Sequence, residues 1–130
     1  MRQKLLHFFR KLGLLGADML VLRLGLGLSL LYAGFDILRS PDTWIGYVPQ
    51  WVEMLGASRE HFLAVHGIGE IVLGVALISS FWLPVASLLV ALDFLSILVF
   101  YGIDSVSFRD FGLMMAAFAL FLRSLERKAE

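Results

Sequence analysis

Asp93 stands in the middle of an otherwise uncharged, strongly apolar run from Leu83 to Ile103, long enough to cross a bilayer. A carboxylate at the bilayer centre costs about 2.5–3.5 kcal/mol on insertion scales. Such a group needs a partner, a proton or a use. It has company: Arg23, Asp36, His66, Glu70, Arg109 and Asp110 all lie in or beside other apolar stretches. His66 and Glu70 are spaced i, i+4 and share a helical face. Two arginines face four acids in this set, so it is two charges short of balance with His66 neutral. Protonated carboxyls, a protonated His66, or a bound cation or polar ligand would close the gap. The chemistry within reach is proton uptake and release, or hydrogen bonding to the polar head of an amphiphile.

Each residue also has a plainer reading. Asp110 suits a helix N-cap region, and Asp36 suits the end of a helix at the interface. Arg23 either snorkels to the inner headgroups or pairs with a central acid. Arg109 pairs with Asp110, with Asp36 or with a ligand headgroup. Glu70 and Asp93 lie too deep to reach water, so they either complete a structural polar network or form a proton or ligand site. Imidazole and carboxylate together can hold divalent ions, but three residues loosely placed along the chain give no metal signature, and no metal is expected. The candidate polar site is therefore Arg23, His66, Glu70, Asp93, Arg109 and Asp110, with no catalytic residue assigned and enzymatic activity left open.

The elements that must position these groups are long and apolar. Of the 130 residues 59% are hydrophobic, against about 45–50% in a soluble domain. The excess falls in four stretches, about residues 18–38, 61–82, 84–103 and 107–123. Each approaches or exceeds the roughly 17–25 residues of a spanning helix. They leave room for one membrane domain over residues 1–130. The expected fold is an all-α membrane protein, a bundle of four transmembrane helices.

Basic residues set the orientation. Arg2, Lys4, Arg10 and Lys11 flank the first stretch, and Arg123, Arg127 and Lys128 follow the last. The connection from Arg39 to Glu60 has Arg39 and Arg59 balanced by Asp42, Glu53 and Glu60. Both termini are expected in the cytoplasm, in a multi-pass protein of the cytoplasmic (plasma) membrane, the cell inner membrane. Residues 2–12 form a basic amphipathic segment suited to an anionic lipid surface. The first apolar stretch contains Arg23 and lacks a good cleavage site, so it reads as an uncleaved helix, not a signal peptide.

The connection 39–60 is the long one. Ser40-Pro41-Asp42 starts a helix, Pro49 breaks it, and Trp44, Tyr47 and Trp51 suit the headgroup level. One or two short interfacial helices are expected there, serving as anchors or as a lid over a site. Ser58 should cap the second long helix, and Ser107-Phe108-Arg109-Asp110 has the form of a capping box. Gly25, Gly27, Ser29, Ala33 and Gly34, with Gly67, Gly69, Gly74 and Ala76, allow close helix approach. Ser29 and Ala33 make a small-xxx-small pair, and the glycine-rich faces leave room for a homo-oligomer.

Several functions are excluded. The chain has no cysteine, so thiol exchange and cysteine-held clusters are out. Its net charge is zero, which gives no electrostatic footprint for nucleic acid. No hydrolase triad, phosphate loop or dinucleotide fingerprint is present.

Three motifs in order carry a resemblance. Arg23-Leu24-Gly25-Leu26-Gly27 leading to Tyr32-Ala33-Gly34-Phe35, then His66-Gly67-Ile68-Gly69-Glu70 with Leu73-Gly74, then Arg109-Asp110-Phe111-Gly112-Leu113 resemble the first, second and fourth helices of DoxX-type membrane proteins. The resemblance covers about Leu20 to Leu122. It implies a four-helix membrane bundle. It also implies association with redox complexes, since the family takes its name from a subunit linked to a thiosulfate:quinone oxidoreductase. The expectation is a DoxX-like subunit in the lipid bilayer that binds a quinone or other amphiphile, or assists redox-complex subunits. The alternatives are a proton-coupled transporter or channel, and a structural or chaperone protein without ligand chemistry.

Overall fold

The computed structural model describes residues 1–13, 17–104 and 107–129, with the backbone alone at 127–129. Of the basic flank after the last stretch, therefore, only Arg123 has a described side chain. Regular structure among the described residues is helical throughout: α1 (Arg2–Lys11), α2 (Asp18–Arg39), α3 (Pro41–Trp44), a 3₁₀ turn (Ile45–Tyr47), α4 (Trp51–Met54), α5 (Arg59–Ser79), α6 (Leu83–Phe100) and α7 (Phe108–Ala129).

Among the described residues three helices, α2, α5 and α6, are long and apolar enough to cross a membrane. Only 28% of the apolar window of each is buried, so most of that surface faces outward and calls for hydrocarbon around it. The sequence suggested four such helices. α7 carries Arg109 and Asp110 at one end and Arg123 and Glu126 at the other. Its uncharged stretch, Phe111 to Leu122, is shorter than the roughly 17–25 residues of an independent span.

The long helices associate as two pairs. α2 packs along α5, α6 packs along α7, and the two pairs meet more sparsely. Glycines explain the first pair. A Cβ on Gly34 would stand 2.6 Å from the carbonyl oxygen of Gly67, and one on Gly74 would stand 2.8 Å from that of Gly27. The spacing of seven on both helices repeats the contact along an antiparallel seam. With backbones this close, dispersion and weak polar contacts replace the hydrophobic drive that lipid cannot supply. The seam is not the one expected from Ser29 and Ala33. Ser29 turns its hydroxyl back to the carbonyl of Gly25, 2.8 Å away, on an exposed face. Nothing lies within 4 Å of a Cβ built on Gly25 or Gly69.

Helix ends follow local chemistry. Ser58 Oγ accepts from the backbone N–H of His61 at 3.1 Å and caps α5 as expected. At Ser40 no side-chain cap bond forms, and Pro41 alone marks the start of α3. Ser107 accepts from Asp104 N at 2.9 Å and donates to Gly102 O at 2.7 Å, so its hydroxyl closes the turn before α7. Between α5 and α6, Ser80 and Trp82 adopt left-handed backbone, φ 63 and 45, and Pro84 follows in the first turn of α6.

The main core lies where all four long helices meet, with Leu30, Leu77, Val90 and Leu120 at 0–1% exposure. A second small core packs Val48 and Val52 of the connection against Ile37 of α2 and Leu63 of α5. It fixes α3, the 3₁₀ turn and α4 over one end of the assembly. At the opposite end Arg123 Nε of α7 lies 3.7 Å from Asp18 Oδ2 of α2.

Arg23 serves this architecture. It donates from Nε to Leu77 O at 2.9 Å and from its terminal nitrogen to Ile78 O at 2.6 Å. These carbonyls belong to the last turn of α5, where intrahelical donors run out and Leu77 O has only a long bond from Ser80 N at 3.4 Å, and a cation there also suits the helix dipole. Replacing Arg23 with Met should cost about 1.5–3 kcal/mol, read as a lower unfolding midpoint in detergent. Arg23→Lys should recover only part of it, because lysine lacks the fork that spans two carbonyls.

Candidate functional site

His66, Glu70 and Asp93 come together although α5 and α6 supply them separately. The i, i+4 spacing stacks His66 over Glu70, and His66 Nε2 lies 3.2 Å from Glu70 Oε1. The other ring nitrogen, Nδ1, lies 3.6 Å from Asp93 Oδ1. The imidazole thus stands between two carboxylates, steadied by stacking on Phe62 at 6.3 Å between ring centres. Glu70 is 94% buried and Asp93 is 84% buried, from side-chain exposures of 6% and 16%. Glu70 Oε2 and Asp93 Oδ2 are buried with no hydrogen-bond partner among the described residues.

Beside this cluster lies a cavity of about 740 Å³. Tyr32, Ala33 and Ile37 of α2 line it, with Phe62, Leu63, His66 and Glu70 of α5, Ser96, Ile97 and Phe100 of α6, and Arg109, Asp110 and Leu113 of α7. It occupies the gap left where the two helix pairs meet loosely. Trp44, Tyr47, Val48, Pro49 and Trp51 cover it from the connection. The short helices between α2 and α5 are therefore a lid as well as a candidate anchor. Its fastenings are aromatic: Tyr47 packs on Tyr101 at 4.6 Å and Trp51 on Phe100 at 5.5 Å. The indole of Trp44 donates to Asp36 Oδ2 at 2.8 Å.

The six candidate residues therefore divide. His66, Glu70, Arg109 and Asp110 line the cavity, and Asp93 stands directly behind His66. Arg23 lies apart, on the last turn of α5. Asp36, which the sequence placed at a helix end, is the latch for Trp44. Of the aromatics on α6, just after it and at the start of α7, Phe100 and Tyr101 line the cavity. Phe94 belongs to the main core, and Phe111 is 54% exposed. Sequence reasoning did not find Ile37, Leu63 and Ser96 as lining residues. Only the closeness of α2 to α5 and the gap toward α6 bring them in, and neither leaves a local signal.

Chemically, the cavity has apolar and aromatic walls with one charged corner. Pockets of about 300–1,000 Å³ with few polar groups suit small amphiphiles. His66, Glu70 and Asp93 can also exchange a proton through the imidazole, which is able to donate at one nitrogen and accept at the other.

A family model described as DoxX matches residues 18–102. The match takes in α2 to α6, including His66, Glu70 and Asp93, and stops before the α7 residues Arg109 and Asp110. No curated protein and no solved structure matches the chain.

Proposed function

The chain belongs to the DoxX family, and from that premise we propose that it holds a quinone or a similar amphiphile between its two helix pairs, as a binding or accessory subunit of a membrane redox complex. In this reading α7 crosses the bilayer beside α6, and both termini face the cytoplasm across the plasma membrane. The basic N-terminal flank supports that orientation. The lidded cavity then opens toward the outer leaflet.

The observation that carries the reading is the cavity itself: about 740 Å³, apolar along its length, aromatic under its lid and charged at one corner. A quinone ring stacks on aromatic faces and accepts hydrogen bonds at two carbonyl oxygens. His66 and Arg109 supply donors at the charged corner, and a protonated Glu70 or Asp110 supplies another.

The three tryptophans give a direct test. Trp44 and Trp51 line the cavity, while Trp82 sits in the α5–α6 turn at the far end. Titrating the detergent-solubilised chain with a short-chain ubiquinone analogue should quench fluorescence saturably. The saturable part should vanish in the Trp44→Phe/Trp51→Phe double variant and weaken about tenfold in Ala33→Phe, which fills the cavity from α2. Linear quenching that is identical in all three proteins would sink the reading.

A second reading, proton-coupled transport, draws on the imidazole held between two acids, an arrangement suited to a relay. Reconstituted protein that carries no proton flux under a pH gradient with candidate substrates would count against it.

A further inference from the structure

We propose that His66, Glu70 and Asp93 form a binding site for one divalent transition-metal ion beside the cavity. The three residues each offer a ligand atom, all within 4.8 Å of one another. His66 Nε2 and Glu70 Oε1 already stand 3.2 Å apart, the separation of two donors that share an ion at about 2.0–2.2 Å. Binding requires the Asp93 carboxylate, which lies 3.6 Å from the other ring nitrogen Nδ1, to rotate toward that ion from α6.

Two further observations point to a cation. Glu70 is 94% buried, from 6% exposure, and its Oε2 has no hydrogen-bond partner among the described residues; Asp93 Oδ2 shares that condition. Two carboxylates beside a neutral imidazole sum to a charge of −2 in surroundings that solvate it poorly. The two arginines of the embedded polar set are engaged elsewhere: Arg23 on carbonyls at the end of α5, and Arg109 against Asp110. A divalent ion makes the cluster neutral. One imidazole and two carboxylates select a first-row ion such as Zn²⁺, Mn²⁺ or Fe²⁺ over Mg²⁺ or Ca²⁺, which favour all-oxygen sets. The cavity beside His66 and Glu70 leaves room for water, or for the oxygen of an occupant, at the remaining positions.

This proposal does not rest on the amphiphile reading. The test uses the full chain in detergent, stripped with chelator and titrated with Zn²⁺ by calorimetry and with Co²⁺ by visible absorption. The expected result is one ion per chain with a Co²⁺ spectrum showing nitrogen and oxygen ligands. Glu70→Gln, Asp93→Asn and His66→Gln should each weaken binding by about 100-fold or more, while Glu126→Gln, an exposed acid on α7, leaves it unchanged. A variant that does not fold is judged through the other two, since each removes a different ligand. Absence of saturable binding to the unsubstituted chain, or binding to the three variants as tight as to the unsubstituted chain, overturns the site. The quinone titration is run on metal-free protein, so either result can fail without the other.

Discussion

Gly34→Ala should destabilise the chain by about 1–3 kcal/mol or more, and Gly34→Val should remove most of the folded protein. The added Cβ would meet Gly67 O at 2.6 Å, Ile71 Cγ1 at 2.7 Å and Ile71 N at 3.2 Å. Two of these atoms are backbone of the facing helix and cannot step aside as a flexible side chain could. α2 and α5 would have to separate, and the loss would spread along the seam to the Gly27–Gly74 contact. Small interfacial residues matter more in lipid than in water, because close packing supplies most of the association energy there. Gly25→Ala and Gly69→Ala are the controls. Neither new Cβ has an atom within 4 Å, and alanine is the better helix former by about 0.5–1 kcal/mol. Unfolding midpoints in detergent should therefore fall for Gly34→Ala and hold or rise for the two controls. Equal behaviour of all three would show that the seam is not what holds α2 to α5.

Glu70→Gln should separate stability from function. In metal-free protein it should hold or raise the unfolding midpoint, by about 1 kcal/mol of stability. The wild-type carboxylate is 6% exposed and leaves one oxygen without a partner among the described residues. The neutral amide keeps the shape and can still bond to His66, but it loses far less solvation on burial. The same substitution should abolish tight ion binding. A stable but inert variant marks a residue kept for its chemistry. A fall of about 2 kcal/mol or more would instead make Glu70 a strut of the α5–α6 contact, in keeping with the structural alternative. Asp93→Asn should follow the same pattern more weakly, since Asp93 is the more exposed of the two.

Membrane character and helix content were legible in the chain because both depend on local composition. A run such as Leu83 to Phe100 has to satisfy its own backbone hydrogen bonds in hydrocarbon, and a helix does so without reference to any neighbour. The caps were read less evenly. Ser58 bonds to the third residue on, as its position dictates, whereas Ser107 bonds back to Gly102 and Asp104. The small residues were visible, yet the seven-residue spacing of Gly27 with Gly34 and of Gly67 with Gly74 gains meaning only when the two helices lie antiparallel.

The costly carboxylate that the sequence exposes at Asp93 illustrates the boundary. Sequence alone determined that an acid lies deep in an apolar helix, that His66 and Glu70 share a face, and that acids outnumber arginines among the embedded groups. Charge and helical periodicity are properties of the chain, so they need no fold. Only the tertiary structure decided which of these groups meet. It sent Arg23 to the last carbonyls of α5, set the imidazole of His66 between Glu70 and Asp93, and opened a lidded cavity beside them. Those outcomes rest on contacts between residues far apart in the chain. Such contacts depend on the distance between helix axes, which the reciprocal glycine contacts and the loose meeting of the two pairs establish only after folding.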